Sequence, residues 1–359
     1  MTAARDFWRD RRVLVTGHTG FKGAWLSLWL DRLGARVTGF ALPPATSPSL
    51  FTLAAIDRRI DSQLGDVRDL SAVDAVMARS RAEVVFHLAA QALVRRSYVD
   101  PVGTYAANVM GTAHVLDAAR RSAGLRAIVV VTSDKCYENR EWCWPYREDE
   151  AMGGHDPYSS SKGCAELLTA AWRRSFFPSD GAQPVGLGSA RAGNVIGGGD
   201  WAEDRLVPDC MRAFASGQPV VIRRPAAVRP WQHVLEPLSG YLALAERLST
   251  DPRSFGEAWN FGPATDDARP VGWVVDRLSA FWGNGARWER DSGTHPHEAG
   301  LLQVDASKAR TRLGWTPRLS LEESLRWTVD WYKRFEAGED AGTLTLDQIE
   351  RFENLEYQP

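Results

Sequence analysis

Tyr158 and Lys162 stand four residues apart in the run Tyr158-Ser159-Ser160-Ser161-Lys162. On a helix this spacing puts both side chains on one face, one above the other. An ammonium beside a phenol favours the phenolate and lowers its pKa toward the working range of a general base. With 8 Tyr and five Lys in 359 residues, about 0.1 such pairs arise by chance, so this one is a selective signal. An exposed helix pair is the alternative. Lysine is rare here: of 43 basic residues 38 are Arg, and only Lys22, Lys135, Lys162, Lys308 and Lys333 are Lys. Where Lys is kept, an amine that can give up its proton is the property an Arg cannot supply.

Two further runs carry chemistry. Val131-Thr132-Ser133-Asp134-Lys135-Cys136-Tyr137 places a hydroxyl, a carboxylate and an amine in succession at the end of an apolar strand pattern. In an open parallel sheet the carboxyl ends of strands face the ligand crevice, so these residues read as acid/base equipment; a polar strand cap is the other reading. Gly17-His18-Thr19-Gly20-Phe21-Lys22-Gly23 lies between a strand pattern and a helical one. Glycines there let the backbone turn tightly and approach a pyrophosphate seated on the helix N-terminus, although a plain structural turn has the same composition. Gly65-Asp66-Val67 follows a third strand, where Asp66 is placed to accept from an adenine amino group.

The elements that must position these groups alternate. Arg12–Thr16, Arg36–Ala41, Val84–Ala89 and Ala127–Thr132 read as buried strands. Phe21–Leu33 with Gly34 as its stop, Ser71–Arg79 and Thr104–Arg121 read as helices, and Asp156-Pro157 is an N-cap with proline at the first helical position. Strands alternating with helices predict an α/β fold, a doubly wound parallel sheet. Beyond about residue 185 the pattern loosens into Gly/Pro-rich loops at 192–201, 223–231 and 260–270, which suits a smaller domain over the sheet.

Composition sets the class. The chain is 44% hydrophobic and 25% charged with a formal charge of -2, ordinary globular values without the basic excess of a nucleic-acid binder. No apolar run has membrane-spanning length, the start lacks a signal-peptide core, and Cys136, Cys143, Cys164 and Cys210 show neither CxxC spacing nor disulfide density. A soluble cytoplasmic protein is expected.

GHTGFKG (Gly17–Gly23), HLAAQ (His87–Gln91), TSDK (Thr132–Lys135) and YSSSK (Tyr158–Lys162) together resemble the extended short-chain dehydrogenase/reductase family. Within it, RAGNVIGGGDW (Arg191–Trp201), DRLVPD (Asp204–Asp209), VRPWQHVLEPLSGYL (Val228–Leu242), WNFGP (Trp259–Pro263) and DASKAR…LGW (Asp305–Trp315) are similar to the nucleotide-sugar 4,6-dehydratases, the CDP-glucose branch in particular.

The resemblance implies a Rossmann sheet with a smaller C-terminal substrate-binding domain: residues 1–185 for the dinucleotide and 186–359 for the nucleotide sugar, with elements partly interleaved. It implies NAD, held by Gly17, Thr19, Gly20, Phe21, Lys22, Gly23, Asp66, Val67, Leu88, Ala89 and Ala90 together with Tyr158 and Lys162. The implied reaction is transient oxidation at carbon 4 of CDP-glucose, elimination of water across carbons 5 and 6, and return of the hydride to carbon 6. Tyr158, Lys162 and Ser133 would serve the oxidation, Lys135 the carbon-5 proton as base and Asp134 the departing hydroxyl as acid; dTDP-glucose relatives carry Asp-Glu at the last two positions. Gln91, Asn194, Arg205 and Arg229 would meet the substrate, and two guanidinium forks suit a diphosphate. A homodimer or homotetramer is expected, paired through helices near 104–121 and 157–174.

Some features stand apart. The second strand ends Thr38-Gly39-Phe40-Ala41-Leu42, without the carboxylate that ordinarily holds an NAD ribose. His295-Pro296-His297-Glu298 invites a metal reading, but the mechanism needs no metal and a loop cluster accounts for it. The rival enzyme is a nucleotide-sugar 4-epimerase, which expels no water and would leave Asp134 and Lys135 superfluous. A non-enzymatic dinucleotide sensor would be marked by loss of Tyr158 or Lys162, and both are present.

Overall fold

The structure, a computed structural model, describes residues 2–178, 184–264, 267–293 and 300–355. The chain forms strands β1 (Arg12–Thr16), β2 (Arg36–Ala41), β3 (Asp61–Leu64), β4 (Val84–His87), β5 (Ala127–Val131), β6 (Gly186–Ala192), β7 (Asn194–Ile196), β8 (Val220–Ile222), β9 (Val228–His233), β10 (Ala258–Phe261), β11 (Ala268–Pro270) and β12 (Trp288–Arg290). Seven of them make one parallel sheet in the order β10-β6-β5-β4-β1-β2-β3. The order reverses at β1, so the crevice opens where β1 and β4 diverge, above their carboxyl ends.

Strand alternation explains the two cores. Val13, Val15, Phe86 and Val129 face one side, against Trp25 and Leu28 of the helix Phe21–Arg32 and Tyr241 and Leu244 of the helix Leu235–Thr250. Leu14, Val85, Ile128 and Val130 face the other, against Val73 and Met77 of the helix Leu70–Ser80 and Val115 of the helix Gly111–Arg120. Burial on both faces is why these strands read as continuous apolar runs rather than alternating ones.

The helix expected from Thr104 starts earlier, at Pro101, with the Asp100 side chain accepting from Gly103 N. It is continuous to Arg120 but carries a π-turn at Ala106–Met110 that turns Asn108 inward. The β4 pattern stops at His87 rather than Ala89, because Leu88–Ala90 bend into the crevice. The three loops expected after residue 185 contain β7, β9 and β11, which pair as a second small sheet; β9 runs antiparallel to β11 and parallel to β7. β6 and β10 also come from beyond residue 185, yet they complete the main sheet. No described helix is long and apolar enough to cross a membrane. The His295–Glu298 cluster lies outside the described residues.

Glu236, at the start of the Leu235–Thr250 helix, is fully buried and accepts backbone N–H bonds from Arg318 (2.9 Å) and Leu319 (2.8 Å). Burial pushes its carboxyl up to about 7 despite those two bonds. The folded state therefore holds a proton that the unfolded chain releases near the ordinary Glu value. The stability from this group is full at low pH and is lost as pH rises through about 7, an effect on the order of 3 kcal/mol. Glu236→Gln should flatten that part of the profile, read as urea unfolding midpoints between pH 5 and 8; an unchanged slope would remove Glu236 as its source.

Candidate active site

The glycine turn follows β1 directly. Gly17 sits at φ +79°, and a Cβ there would lie 2.7 Å from Ala89 N, so the turn and the β4 end touch backbone to backbone. A side chain at Gly23 would collide with the Gly17 carbonyl, so the helix packs tightly onto its own turn. A Cβ on Gly20 would meet only the Gly17 carbonyl at 3.4 Å, in otherwise open space at the helix N-terminus. A tight turn, an open glycine face and an unobstructed N-terminus of a 12-residue helix fit a pyrophosphate. The Thr19 hydroxyl ties the turn to β2 by donating to Leu42 O at 2.8 Å.

One cleft of about 1480 Å³ takes in this turn, Asp66, Val67, Leu88–Gln91, Ser133, Asp134, Lys135, Tyr158, Lys162, Asn194, Arg205 and Arg229. A single small-ligand pocket runs to roughly 1,000 Å³, so this cleft has room for two ligands. Every predicted site residue that the chain describes therefore lines one space.

Asp156 caps the helix Pro157–Phe176 through its carboxylate on Ser159 N, fixing the first turn that carries Tyr158. The Tyr158 hydroxyl faces Ser133, whose hydroxyl acts to lower the phenol. Ser133 Oγ donates to Asp134 Oδ1 at 2.9 Å and accepts from Lys135 N at 3.2 Å. Asp134 is 1% exposed, and its Oδ2 has no hydrogen-bond partner, which is uncommon for a buried carboxylate and suits a group with a task.

Here the sequence expectation for Tyr158 is corrected. Burial pushes the phenol up, to about 12; the Ser133 hydroxyl and the Arg205 guanidinium act in the other direction. Lys162 shares the buried face but donates to Val131 O at 3.4 Å, and burial lowers its own ammonium to about 8 while Glu166 opposes that shift. In the chain by itself, then, the phenol is a proton donor, and Lys162 alone does not make it a base.

Other residues stand differently from expectation. The Gln91 amide is taken up within its own neighbourhood, donating to Leu93 O and Thr104 Oγ1 (both 3.0 Å) and accepting from Leu93 N. Asp66 is forked by Arg68, with Nε at 2.8 Å, and the carboxylate is held below its usual range chiefly by that bond. Lys22 lines the cleft and reaches past the glycine turn. Its Nζ donates to the Tyr241 hydroxyl at 3.4 Å, and burial, with the charges of Lys162 and Arg205 adding, pulls the ammonium down to about 7. The β2 end carries no acid, and Thr46 and Ser47 line the cleft beside it.

A buried network behind the site went unread in the sequence. Glu166, one helical turn beyond Lys162, accepts from Thr132 Oγ1, from Ser189 Oγ at 2.7 Å and from Arg191 Nη2 at 2.9 Å. Arg191 continues to Tyr137 Oη at 2.7 Å, which donates to Asn260 Oδ1 at 2.7 Å. Asn108, from the π-turn, donates to Ser161 Oγ at 2.8 Å and to Gln91 O at 3.0 Å. The signal for the first pair was present: an Arg inside the otherwise small and apolar strand GLGSARA needs a buried acid. Glu166→Gln leaves the Arg191 charge without its counter-charge and should cost about 3–5 kcal/mol in urea unfolding. A loss under about 1 kcal/mol would mean the network carries little of the fold.

Fold and cleft together define an α/β enzyme with a dinucleotide compartment joined to a second ligand compartment. Residues 13–262 match the NAD dependent epimerase/dehydratase family, and the chain belongs to that family. It is 54% identical to a CDP-glucose 4,6-dehydratase from Salmonella typhimurium over 94% of each chain. It is 29% identical to a dTDP-glucose 4,6-dehydratase from Streptomyces antibioticus, covering 89% of this chain and 92% of that one. Among solved structures, a UDP-glucose 4-epimerase from Thermotoga maritima superposes with a TM-score of 0.78 at 23% identity over 90% of this chain and 99% of the other, a likeness of fold.

Proposed function

We propose that the chain converts CDP-glucose to CDP-4-dehydro-6-deoxyglucose and water, as an NAD-dependent nucleotide-sugar 4,6-dehydratase. The observation that carries this is the 54% identity to a CDP-glucose 4,6-dehydratase along nearly the whole chain, with Ser133, Asp134, Lys135 and Tyr158 gathered at one cleft. Bound NAD supplies the hydride acceptor and a positive charge.

The chain's own groups handle protons. Tyr158, beside Ser133, takes the proton of the carbon-4 hydroxyl once the added positive charge offsets the burial that holds the phenol neutral. Lys162 orients the cofactor. A ketone at carbon 4 acidifies the carbon-5 proton, which Lys135 removes, and Asp134 protonates the leaving carbon-6 hydroxyl through its unpartnered Oδ2. Arg205 and Arg229 hold the diphosphate and Asn194 the sugar.

Exposed Val102 and Met110 on the helix from Pro101, with Leu167 on the adjacent Pro157–Phe176 helix, support pairing of subunits there as a homodimer or homotetramer. The four free thiols suit a reducing compartment, in keeping with a cytoplasmic location.

The test is incubation with CDP-glucose in deuterated water. Loss of one water with deuterium at carbon 5, without added reductant, is expected. Formation of CDP-galactose would move the protein to the epimerases, and turnover restricted to another nucleotide's sugar would overturn the choice of base.

A further inference from the structure

Asp204 occupies an unusual position at the mouth of the cleft. Its backbone is in the left-handed region, at φ +58°, which lets two consecutive side chains point to different partners. Arg205 turns inward, with Nη1 on Asp200 Oδ2 at 3.0 Å. Asp204 faces two guanidiniums from separate elements: Arg95 of the short helix Val94–Val99 at 3.1 Å, and Arg223, just past β8, at 3.8 Å. All three residues line the cleft. Arg95 and Asp204 are 43% and 41% exposed, and ion pairs so exposed add little to folding, so stability does not account for the arrangement. A second observation points outward: Arg223 Nη1 is shielded from solvent and has no hydrogen-bond partner, with the Asp204 oxygen beyond bonding distance. One carboxylate oxygen thus stands between two forks and reaches only that of Arg95.

We propose that Arg95 and Arg223 form an anion clamp for the diphosphate of the nucleotide sugar, and that Asp204 is the internal carboxylate which holds the clamp together until the diphosphate displaces it. This rests on the nucleotide-sugar reading above. The chemistry favours the exchange. A diphosphate offers several anionic oxygens to two planar forks, where Asp204 offers one oxygen at bonding range to a single fork. Arg95 and Arg223 are therefore binding residues in addition to Arg205 and Arg229, and Asp204 works against binding by competing for them.

The experiment is titration of the whole chain with CDP, CMP and cytidine by calorimetry, with steady-state kinetics on CDP-glucose. Arg95→Ala and Arg223→Ala should each weaken CDP about tenfold or more and leave cytidine unaffected, with the loss in KM rather than kcat. Asp204→Asn keeps a side chain that tolerates the left-handed backbone. It should tighten CDP about threefold, and that gain should vanish in the Arg95→Ala/Arg223→Ala background. If Asp204→Asn weakens CDP as the arginine variants do, Asp204 supports the clamp instead of competing for it and the proposal fails. Equal weakening of CDP and cytidine by Arg95→Ala would also overturn it, because the site would then not be reading phosphate. A wild-type chain that binds neither CDP nor CDP-glucose overturns the functional reading itself, and the clamp with it.

Discussion

Tyr158→Phe should lower kcat by about 10³-fold, within the range that a positioned acid/base group supplies. The substitution removes a single oxygen from a side chain that is 8% exposed and keeps the ring that fills the space, so folding should hardly change. What is lost is the hydroxyl beside Ser133, whose own Oγ donates to Asp134. The wild-type pH profile gives a second check. Burial holds the phenol near 12 in the chain alone, so the fraction able to accept a proton grows as pH rises toward that value. Rates should therefore rise with pH on the acid side in the wild type, and this limb should be missing from the residual activity of Tyr158→Phe. Turnover within a few-fold of normal would remove Tyr158 from proton transfer.

Lys135→Arg should keep the positive charge and the fold yet lower dehydration by about 10²–10⁴-fold, because a guanidinium does not release its proton to become a base. Lys135 lines the cleft two residues from Ser133, which accepts its backbone N–H, so an Arg side chain starts from the same anchored position. The discriminating readout is deuterium uptake at carbon 5 of recovered substrate and product. Loss of water formation together with loss of exchange assigns Lys135 to the carbon-5 proton. Normal exchange with blocked water loss would exchange the roles of Lys135 and Asp134.

Much of this was legible from residue order, and the parts that were not share a cause. β1 and β2 were read to the residue, since strands buried on both faces leave unbroken apolar runs. Asp156-Pro157 marks the start of the helix at Pro157, and the same pair at Asp100-Pro101 marks a start three residues ahead of the apolar periodicity that begins at Thr104. β7, β9 and β11 sit among glycines and prolines in three-to-six-residue pieces, and their pairing joins residues up to 42 positions apart, as Pro270 with Val228, which local pattern does not record. At the site, residue types and spacing named the groups that line the cleft. They did not reveal that burial pushes the phenol up, because desolvation depends on what covers a group and not on its neighbours in sequence. Lys22 shows the same limit: its place in the glycine run says nothing of its Nζ reaching the Tyr241 hydroxyl from the cleft wall.

The sheet order has a consequence for how the chain is made. β5 lies at the centre of the site, yet one of its edges is closed only by β6 and then by β10, which ends at Phe261. A nascent chain that has emerged through Tyr158 and Lys162 exposes the β5 edge and the apolar face that Tyr241 and Leu244 later cover. Parallel pairing across such separations is slow, and unpaired parallel edges are aggregation-prone while they wait. The nucleotide-binding half is therefore completed late in synthesis, and chains arrested between residues 185 and 258 should depend on chaperones far more than the released protein does.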